Sequence, residues 1–298
     1  MTVRQYPTPL AFKQALEQRL RSSSASGADF ARRRQLLVFD RFLARLERIA
    51  GDSVILKGGL VLEMRLARAR TTKDVDLRMT GSPSAVLDCL QEAGRLDLGD
   101  FLRFEVQADD DHPEIRNEAM RYKGFRFRSV CRLAGQLYGQ PFGVDVAFGD
   151  PLTDEPDLVT AEDWLAFAGI PPPMVRLYPV VSHIAEKLHA FTLPRPLPNT
   201  RVRDLPDLAL LATTGPIEAE RLRQAIDRTF EFRNTHPVPP SLPPPPAFWE
   251  APYAKMAATD ALPWATLPEV TEATAAFLDP VLGKGAVGAW DATGWRWK

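Results

Sequence analysis

The sequence has little cysteine and no excess of either charge, and both shortages exclude classes of protein. Two cysteines, Cys89 and Cys131, occur in 298 residues, which is too few for a disulfide framework or a cysteine-rich zinc site. Lys and Arg total 37 against 38 Asp and Glu, so affinity for nucleic acid would have to come from a local basic surface. An apolar leader and an 18-residue apolar run are both missing. We therefore expect a cytoplasmic protein with no membrane association.

Common catalytic signatures are missing as well. The chain has no Gly-x-x-x-x-Gly-Lys-Ser/Thr loop, no Gly-x-Gly-x-x-Gly turn, no His-Glu-x-x-His pair and no Gly-x-Ser-x-Gly elbow. Its four histidines are scattered. His183 and His189 share one predicted helix, but their six-residue spacing puts them on different faces, so a histidine metal site is not expected. The candidate chemistry that remains is acidic.

Apolar spacing divides the chain near residue 178. The first part alternates helical and strand patterns: helices at 8–22, 28–50, 60–69 and 83–94, and strands at 53–56, 74–79, 102–107, 125–128 and 144–146. The last three strands are predicted to extend the sheet in antiparallel fashion. Helical patterns then prevail, at 179–192, 203–214, 216–233, 247–257 and 268–280. The prediction is an α+β fold, with a mixed-sheet domain with flanking helices at 1–178 and a helical C-terminal domain at 179–298.

Proline is the residue in excess, and it is concentrated in one segment. Residues 236–246 contain seven of the 27 prolines, so they cannot form a helix or a central strand. The segment is interpreted as a linker or a strap over the surface; a docking site for a polyproline-binding domain is the sharper alternative.

Two aspartates on one predicted strand are the first candidate site. Asp74 and Asp76 are two residues apart, so their side chains leave the same face of the sheet. Like charges that close are costly unless a cation lies between them, and oxygen ligands suit Mg²⁺ or Mn²⁺. Asp145, between Val144 and Val146, is expected to add a third carboxylate from another strand of the sheet. The alternative is that all three are solvent-facing polar positions.

A glycine pair precedes these aspartates. Lys57-Gly58-Gly59 follows a buried strand and opens a helix, where backbone N–H groups can bind an anion and the missing Cβ atoms allow close approach. Alone, such a pair is usually only a turn. Together with three carboxylates on nearby strands it supplies a phosphate cradle and a metal site, which are the parts that phosphoryl or nucleotidyl transfer requires.

Four motifs in order resemble the AbiEii/AbiGii nucleotidyltransferase toxins of type IV toxin–antitoxin and abortive-infection systems. The first two, Leu56-Lys57-Gly58-Gly59 and Arg70-Thr71-Thr72-Lys73-Asp74-Val75-Asp76, are similar to that family's Lys-Gly-Gly and Arg-x-Ser/Thr-x-Asp-Ile-Asp. Val144-Asp145-Val146 is similar to its third-carboxylate strand. Glu186-Lys187-Leu188-His189-Ala190 and the segment from Arg203 to Leu208 are similar to two of its helices. The resemblance covers about residues 50–215, and Leu60 departs from the Ser or Thr that is common after the glycines.

The resemblance implies a metal-dependent enzyme that moves NMP from an NTP to an RNA acceptor, the 3′ end of tRNA, and that inhibits growth until a cognate antitoxin neutralises it. It gives catalytic roles to Asp74, Asp76, Asp145 and Lys187, with the three aspartates on Mg²⁺ or Mn²⁺. Nucleotide contacts are implied for Lys57, Gly58, Gly59, Arg70, Thr72 and Lys187. For Lys187 the alternative is a lysine whose stem packs on the core. Asp204 and Asp207 are predicted to be partly buried and to orient Lys187 or Arg203.

A basic segment bears on the acceptor. Six basic residues, namely Arg116, Arg121, Lys123, Arg126, Arg128 and Arg132, alternate with Tyr122, Phe125 and Phe127. Such a stripe could bind an RNA backbone, or it could be an exposed strand face offset by Asp109-Asp110-Asp111, a loop interpreted as solvated. Two functional alternatives stay open: transfer to a small molecule or a protein hydroxyl, and a non-catalytic nucleotide-binding scaffold.

Overall fold

The computed structural model describes residues 5–66, 72–81, 83–109, 114–115, 124–148 and 152–298. Arg70 and the residues 116–123 of the basic segment lie outside this set, as do Asp110, Asp111 and His112. Within it, no helix has the length and apolar character needed to cross a membrane.

Helices and strands alternate through the first half of the chain, and helices prevail in the second. The helices are α1 Pro9–Ser22, α2 Gly27–Ala50, α3 Gly58–Arg65, α4 Pro83–Arg95, α5 Val180–Thr192, α6 Asp204–Leu211, α7 Ala219–Arg233, α8 Glu250–Asp260 and α9 Leu267–Leu282. The strands are β1 Val54–Lys57, β2 Val75–Met79, β3 Leu102–Ala108, β4 Glu114–Ile115, β5 Gly124–Leu133, β6 Gln136–Leu137, β7 Phe142–Ala147, β8 Asp157–Thr160, β9 Met174–Leu177, β10 Ile217–Glu218, β11 Ala289–Asp291 and β12 Arg296–Trp297.

A mixed sheet runs in the order β3-β5-β7-β2-β1-β9-β8, with β4 and β6 paired to β5. The β2–β7 and β1–β9 pairs are parallel, and β3–β5 and β5–β7 are antiparallel. The antiparallel arrangement predicted for the three later strands is confirmed, and so is the α+β class with a central mixed sheet.

Three apolar cores lie among the described residues. The largest lies between the sheet and the helices α1, α2 and α4, the second joins α5, α6, α7 and α9, and the third packs α8 against α5, α6 and α9. Helix α3 contributes to the first two, because Leu60 and Val61 pack in the first core and Leu62 packs in the second. The glycine-bearing helix is thus fixed between the sheet and the C-terminal helices.

A buried ionic cluster anchors α2 to the loop before β3. Asp100 accepts hydrogen bonds from Arg41 Nε at 2.9 Å and from Arg45 Nη2 at 2.6 Å. Arg45 also donates to the carbonyl oxygens of Leu96 and Leu102. These contacts satisfy a buried charge on every side, which is the condition for a buried ion pair to be tolerated.

The sequence patterns missed several short elements. Strands β8 and β9 lie among prolines and loops, and β10 pairs with β11 about 70 residues later, so local periodicity carries little signal for them. The expected helix at 216–233 was wrong at its start: Ile217 and Glu218 are extended in β10, and α7 begins at Ala219. The C-terminal part therefore contains a three-stranded sheet besides its helices.

Candidate active site

Four charged side chains form one row across the sheet. In the strand register Lys57 lies opposite Asp76, Asp76 opposite Asp145, and Asp145 opposite Arg126. Residues in register on neighbouring strands project from the same face and come within side-chain reach of each other. Two carboxylates therefore stand side by side at the centre, with one cation on each outer side.

Asp76 is held against the start of α3. Gly58 has φ +67°, and a Cβ atom there would overlap the Asp76 carboxylate, so glycine is required both for its backbone angle and for this close approach. Gly59 follows in the buried first turn of the helix. Burial, together with the charges of Asp145 and Asp74, raises the pKa of Asp76 to about 6, although Lys187 and Lys57 act in the opposite direction. Burial and neighbouring carboxylates therefore outweigh the two lysines at the centre of the row.

Asp74 lies at the edge of this pair and is exposed. Its Oδ1 accepts a hydrogen bond from the backbone N–H of Gly143 on β7, at 3.2 Å. Thr72, just before it, is buried, and its backbone N–H donates to Glu63 of α3 at 2.6 Å. The contacts of Thr72 therefore tie the aspartate strand to the glycine-bearing helix, and the nucleotide contact that the family resemblance implied for Thr72 stays a prediction.

Asp145 is engaged by an arginine. Arg126 donates from Nε and Nη2 to the two carboxylate oxygens, at 2.7 and 2.6 Å, in the bidentate geometry that favours this pairing. The hydrogen bonds to Asp145 are the largest cause that raises the pKa of Arg126. Arg126, which the sequence assigned to an RNA-binding stripe, is thus a member of the carboxylate row.

Lys57 lies in a polar cluster contributed by α5 and its neighbours. Its ammonium is 2.9 Å from Glu186 Oε2, and the Tyr178 hydroxyl donates to Glu186 Oε1 at 2.6 Å. Burial would raise the pKa of Glu186, but the charges of Lys57 and Arg233 and the bond from Tyr178 together lower it to about 2. Glu186 belongs to one of the four sequence motifs, but no role was predicted for it. Its position directly before Lys187 was the feature of the sequence that could have indicated one.

Lys187 is buried beside two acids of α6. Its ammonium lies 2.7 Å from Asp207 Oδ2 and 3.5 Å from Asp204 Oδ1. Asp204 is also paired with Arg201, while the sequence had named Arg203 as a possible partner. The charge of Lys187 lowers the pKa of Asp76, so this ammonium acts on the carboxylate row as well.

His183, one turn before Lys187 on α5, was not expected to matter. It is buried, and neither ring nitrogen has a hydrogen-bond partner among the described residues. Burial first, and then the charge of Lys187, lower the pKa of His183 to about 3. A neutral imidazole therefore lines the interior next to the site.

The aspartates suit a divalent cation by type and charge. Three carboxylates are a donor set that Mg²⁺ or Mn²⁺ accepts, and after burial the charges of Asp145 and Asp74 contribute to the raised pKa of Asp76. As they stand, however, no three potential ligands among the described residues converge on one point, and Asp145 is turned to Arg126. The donor set fits the ion, and binding requires side-chain rearrangement.

The remaining described arginines of the basic segment face carboxylates too. Arg128 lies 3.4 Å from Asp109, and Arg132 lies 2.6 Å from Glu105. Their side chains are still 60% and 41% exposed, and the β5 alternation puts them on the same face as Arg126. The sheet face beside Asp145 therefore presents two accessible guanidinium groups.

Comparison with known proteins assigns the chain to a protein family. Residues 41–283 match the family model described as nucleotidyl transferase AbiEii toxin, Type IV TA system. The chain belongs to the AbiEii family. The resemblance carried by the four sequence motifs is thereby confirmed. Membership makes the protein a nucleotidyltransferase-family toxin and implies an NTP substrate and an antitoxin partner.

Two solved structures are similar to the chain, and the first of them supports the fold. MenT4, a nucleotidyltransferase toxin from Mycobacterium tuberculosis H37Rv, is similar with a TM-score of 0.50 and 16% identity, over 72% of this chain and 68% of that one. JHP933 from Helicobacter pylori has a TM-score of 0.45 and 16% identity, over 84% of this chain and 92% of its own. No match is found among curated protein sequences.

Proposed function

We propose that this AbiEii-family protein transfers a nucleoside monophosphate from an NTP to the 3′ end of a tRNA, in a reaction that depends on Mg²⁺ or Mn²⁺. The observation that carries the proposal is the row of Lys57, Asp76, Asp145 and Arg126 across four adjacent strands. A scaffold protein gains nothing from two adjacent partly buried carboxylates, because their repulsion costs stability.

In this proposal Asp74 and Asp76 hold the cation on the triphosphate side, and Asp145 adds a third carboxylate on the acceptor side. When bound, the cation would neutralise triphosphate charge and polarise the phosphoryl group that is attacked. The backbone N–H groups of Gly58 and Gly59, at the start of α3, are suited to bind phosphate oxygens. Lys187, already close enough to act on Asp76, supplies a positive charge for the triphosphate, and Asp207 and Asp204 hold its ammonium.

The acceptor side is assigned to Asp145 and the strand that carries Arg126. Asp145 accepts the proton of the attacking hydroxyl or positions that hydroxyl, while Arg126 fixes the orientation of its carboxylate. Arg128 and Arg132 then contact the RNA backbone, since both are on the same sheet face and remain accessible.

The direct test is incubation of the protein with each of the four labelled NTPs, Mg²⁺ and total tRNA, followed by a denaturing gel. The expected result is label on tRNA-sized bands from one or a few NTPs, and none with Asp74→Asn or Asp145→Asn. Label on protein bands or on a small molecule would replace the RNA acceptor by one of the two alternatives. Absence of transfer to any acceptor with every NTP and both cations would contradict the enzymatic proposal.

The RNA acceptor has its own test in the salt dependence of KM. Changing Arg128→Ala and Arg132→Ala together should raise the KM for tRNA and lower its salt slope by about two units, one for each phosphate group that is no longer neutralised. NTP binding should stay the same. The matched control changes Arg228→Ala and Lys255→Ala, exposed residues of α7 and α8, and should leave both quantities unchanged. Unchanged KM in the first variant would mean that RNA binds elsewhere.

A further inference from the structure

A cavity of about 120 Å³ lies between α2, α3 and the segment that follows β8. Its walls are largely apolar and comprise Leu36, Phe39, Leu43, Leu60, Met64 and Trp164. The volume approaches the roughly 150 Å³ that accepts a benzene molecule in an engineered protein cavity. The space is therefore large enough for a short hydrocarbon chain.

Three acids interrupt the apolar lining, and two of them are engaged. Glu63 lies 2.9 Å from Arg32 and accepts the backbone N–H of Thr72. Glu162 is exposed at the mouth and lies 4.0 Å from Arg33. Both carboxylates therefore already have an arginine beside them.

Asp40 is the third acid and differs from the other two. It is 6% exposed and lines the cavity. Its Oδ1 lies 3.6 Å from Arg41, whereas Oδ2 has no hydrogen-bond partner within the described part of the chain. Burial raises the pKa of Asp40 to about 7, Asp100 and Glu162 add to the rise, and Arg41 opposes it. A buried acceptor without a donor costs stability, and a carboxylate as poorly paired as this one would gain from a cationic ligand.

We propose that this cavity binds an alkylammonium group, a primary ammonium on a short apolar chain, with the Asp40 carboxylate as its counter-ion. The methylene groups would contact the apolar walls, and the ammonium would pair with the carboxylate where Asp40 lines the cavity. The source can be a free amine or the lysine side chain of a bound protein. This site is separate from the carboxylate row and does not depend on the proposed nucleotidyl transfer.

Other cations fit the cavity less well. A guanidinium binds best to both oxygens of a carboxylate at once, and here one oxygen of Asp40 already faces Arg41. A divalent metal ion requires about six oxygen ligands, which these apolar walls do not offer. A compact point charge on a flexible stem needs only one accessible carboxylate oxygen.

The test is calorimetric titration of the full chain at pH 8 with n-pentylamine, which is protonated at that pH, and with 1-pentanol as its neutral analogue. We expect saturable binding of the amine, with an affinity at least about tenfold above that of the alcohol, the equivalent of about 1.4 kcal/mol. Asp40→Asn should weaken amine binding at least about tenfold. Glu272→Gln, which removes an equal charge at an exposed position of α9, should leave it unchanged.

A second variant tests the proposal independently, in case Asp40→Asn does not fold. Ala161 lines the cavity, and Ala161→Leu should fill its space and abolish amine binding while Asp40 stays intact.

Amine binding should also strengthen by about tenfold from pH 6 to pH 8, because the ionised fraction of a group with a pKa of about 7 rises by that factor. The charged groups that act on Asp40 are Arg41, Asp100 and Glu162, and the cavity acids Glu63 and Glu162 are paired with Arg32 and Arg33.

Competition experiments identify whether the alkylammonium group comes from a protein lysine or from a free amine. Displacement of pentylamine by Nα-acetyl-lysine methylamide at lower concentration than by cadaverine would assign the site to a protein lysine, and the reverse order would assign it to a free diamine. No saturable amine binding by the wild-type protein would overturn the proposal. Equal amine affinity in the wild-type protein and a folded Asp40→Asn or Ala161→Leu variant would overturn it as well.

Discussion

Asp76 and Asp100 are both enclosed carboxylates of this protein, yet their surroundings shift their pKa values in opposite directions. Around Asp100, burial acts to raise the pKa, but the hydrogen bonds and charges of Arg45 and Arg41 outweigh it and lower the value. Around Asp76, burial and two neighbouring carboxylates raise the pKa to about 6 despite Lys187 and Lys57. One region satisfies its buried charge, and the other leaves it partly uncompensated.

This difference indicates that the Asp100 cluster is structural and that the Asp76 row is a candidate functional site. The Asp100 cluster joins α2 to the start of β3 through saturated hydrogen bonds, which contributes rigidity and has no need of a ligand. The Asp76 row keeps like charges together where they cost stability, and the neutral His183, whose ring nitrogens have no hydrogen-bond partner in the described part of the chain, lies nearby. Strongly perturbed ionisable groups of this kind tend to occur at functional sites.

The largest effect is expected for Asp100→Asn. The change leaves Arg45, which is fully buried, without its counter-charge, and removing one partner of such a pair typically costs about 3–5 kcal/mol. Urea denaturation should report a fall of that size in the free energy of unfolding. Glu105→Gln, in the exposed pair with Arg132, is the control and should cost less than about 1 kcal/mol. Equal losses in the two variants would remove the distinction between the clusters.

A smaller effect concerns His183 and pH. Its folded-state pKa of about 3 lies below the unfolded value of 6.5, so the unfolded chain binds the proton first as pH falls. The stability of the folded state is therefore complete above pH 6.5 and decreases progressively towards pH 3, by about 2 kcal/mol at pH 5.

The readout for His183 is a difference between two proteins. His183→Asn lacks this titration, while Asp40 and Asp76, whose raised pKa values act in the opposite direction, are common to both. The stability of wild type minus that of the variant should thus fall by about 2 kcal/mol between pH 7.5 and pH 5. A difference that does not change with pH would show that His183 is solvated or protonated in the folded state.

Substitutions of Lys187 and of Asp145 should have different effects on the affinity for a nucleotide. Lys187→Met should weaken binding of a non-hydrolysable NTP by about tenfold, because the variant has no ammonium to pair with the triphosphate. Asp145→Asn should leave that affinity within about twofold and lower turnover instead. Lys255→Met, at an exposed position of α8, is the charge-matched control. An equal fall in affinity in both site variants would make Asp145 a shared metal ligand and not an acceptor-side group.

Local patterns predicted most elements of the first half, including the strands that carry Asp76 and Asp145. Alternation also predicted the face from which each side chain projects. It could not predict that β2 and β7 are parallel neighbours, or that their register brings Asp76 opposite Asp145, because strand pairing depends on contacts between distant segments.

Arg126 and Glu186 show the same limit at the level of single residues. As a member of a basic segment, Arg126 was interpreted as a contact to RNA, and only the β5–β7 register brings it to Asp145. Glu186 approaches Lys57 across 129 residues of sequence. Neither pairing leaves a local signal, whereas the close approach of Gly58 to Asp76 is consistent with the glycine pair that the sequence singled out.

The most direct test of the central claim is the free energy of unfolding of wild type and Asp76→Asn, each measured with and without Mn²⁺. The claim is that Asp76 is crowded by like charges in order to hold a cation. Without Mn²⁺ the variant should be as stable as wild type or more stable by up to about 1 kcal/mol, because repulsion is relieved. Mn²⁺ should stabilise wild type alone. A variant that is clearly less stable without Mn²⁺, and equally stabilised by it, would contradict the assignment of Asp76 to a metal site.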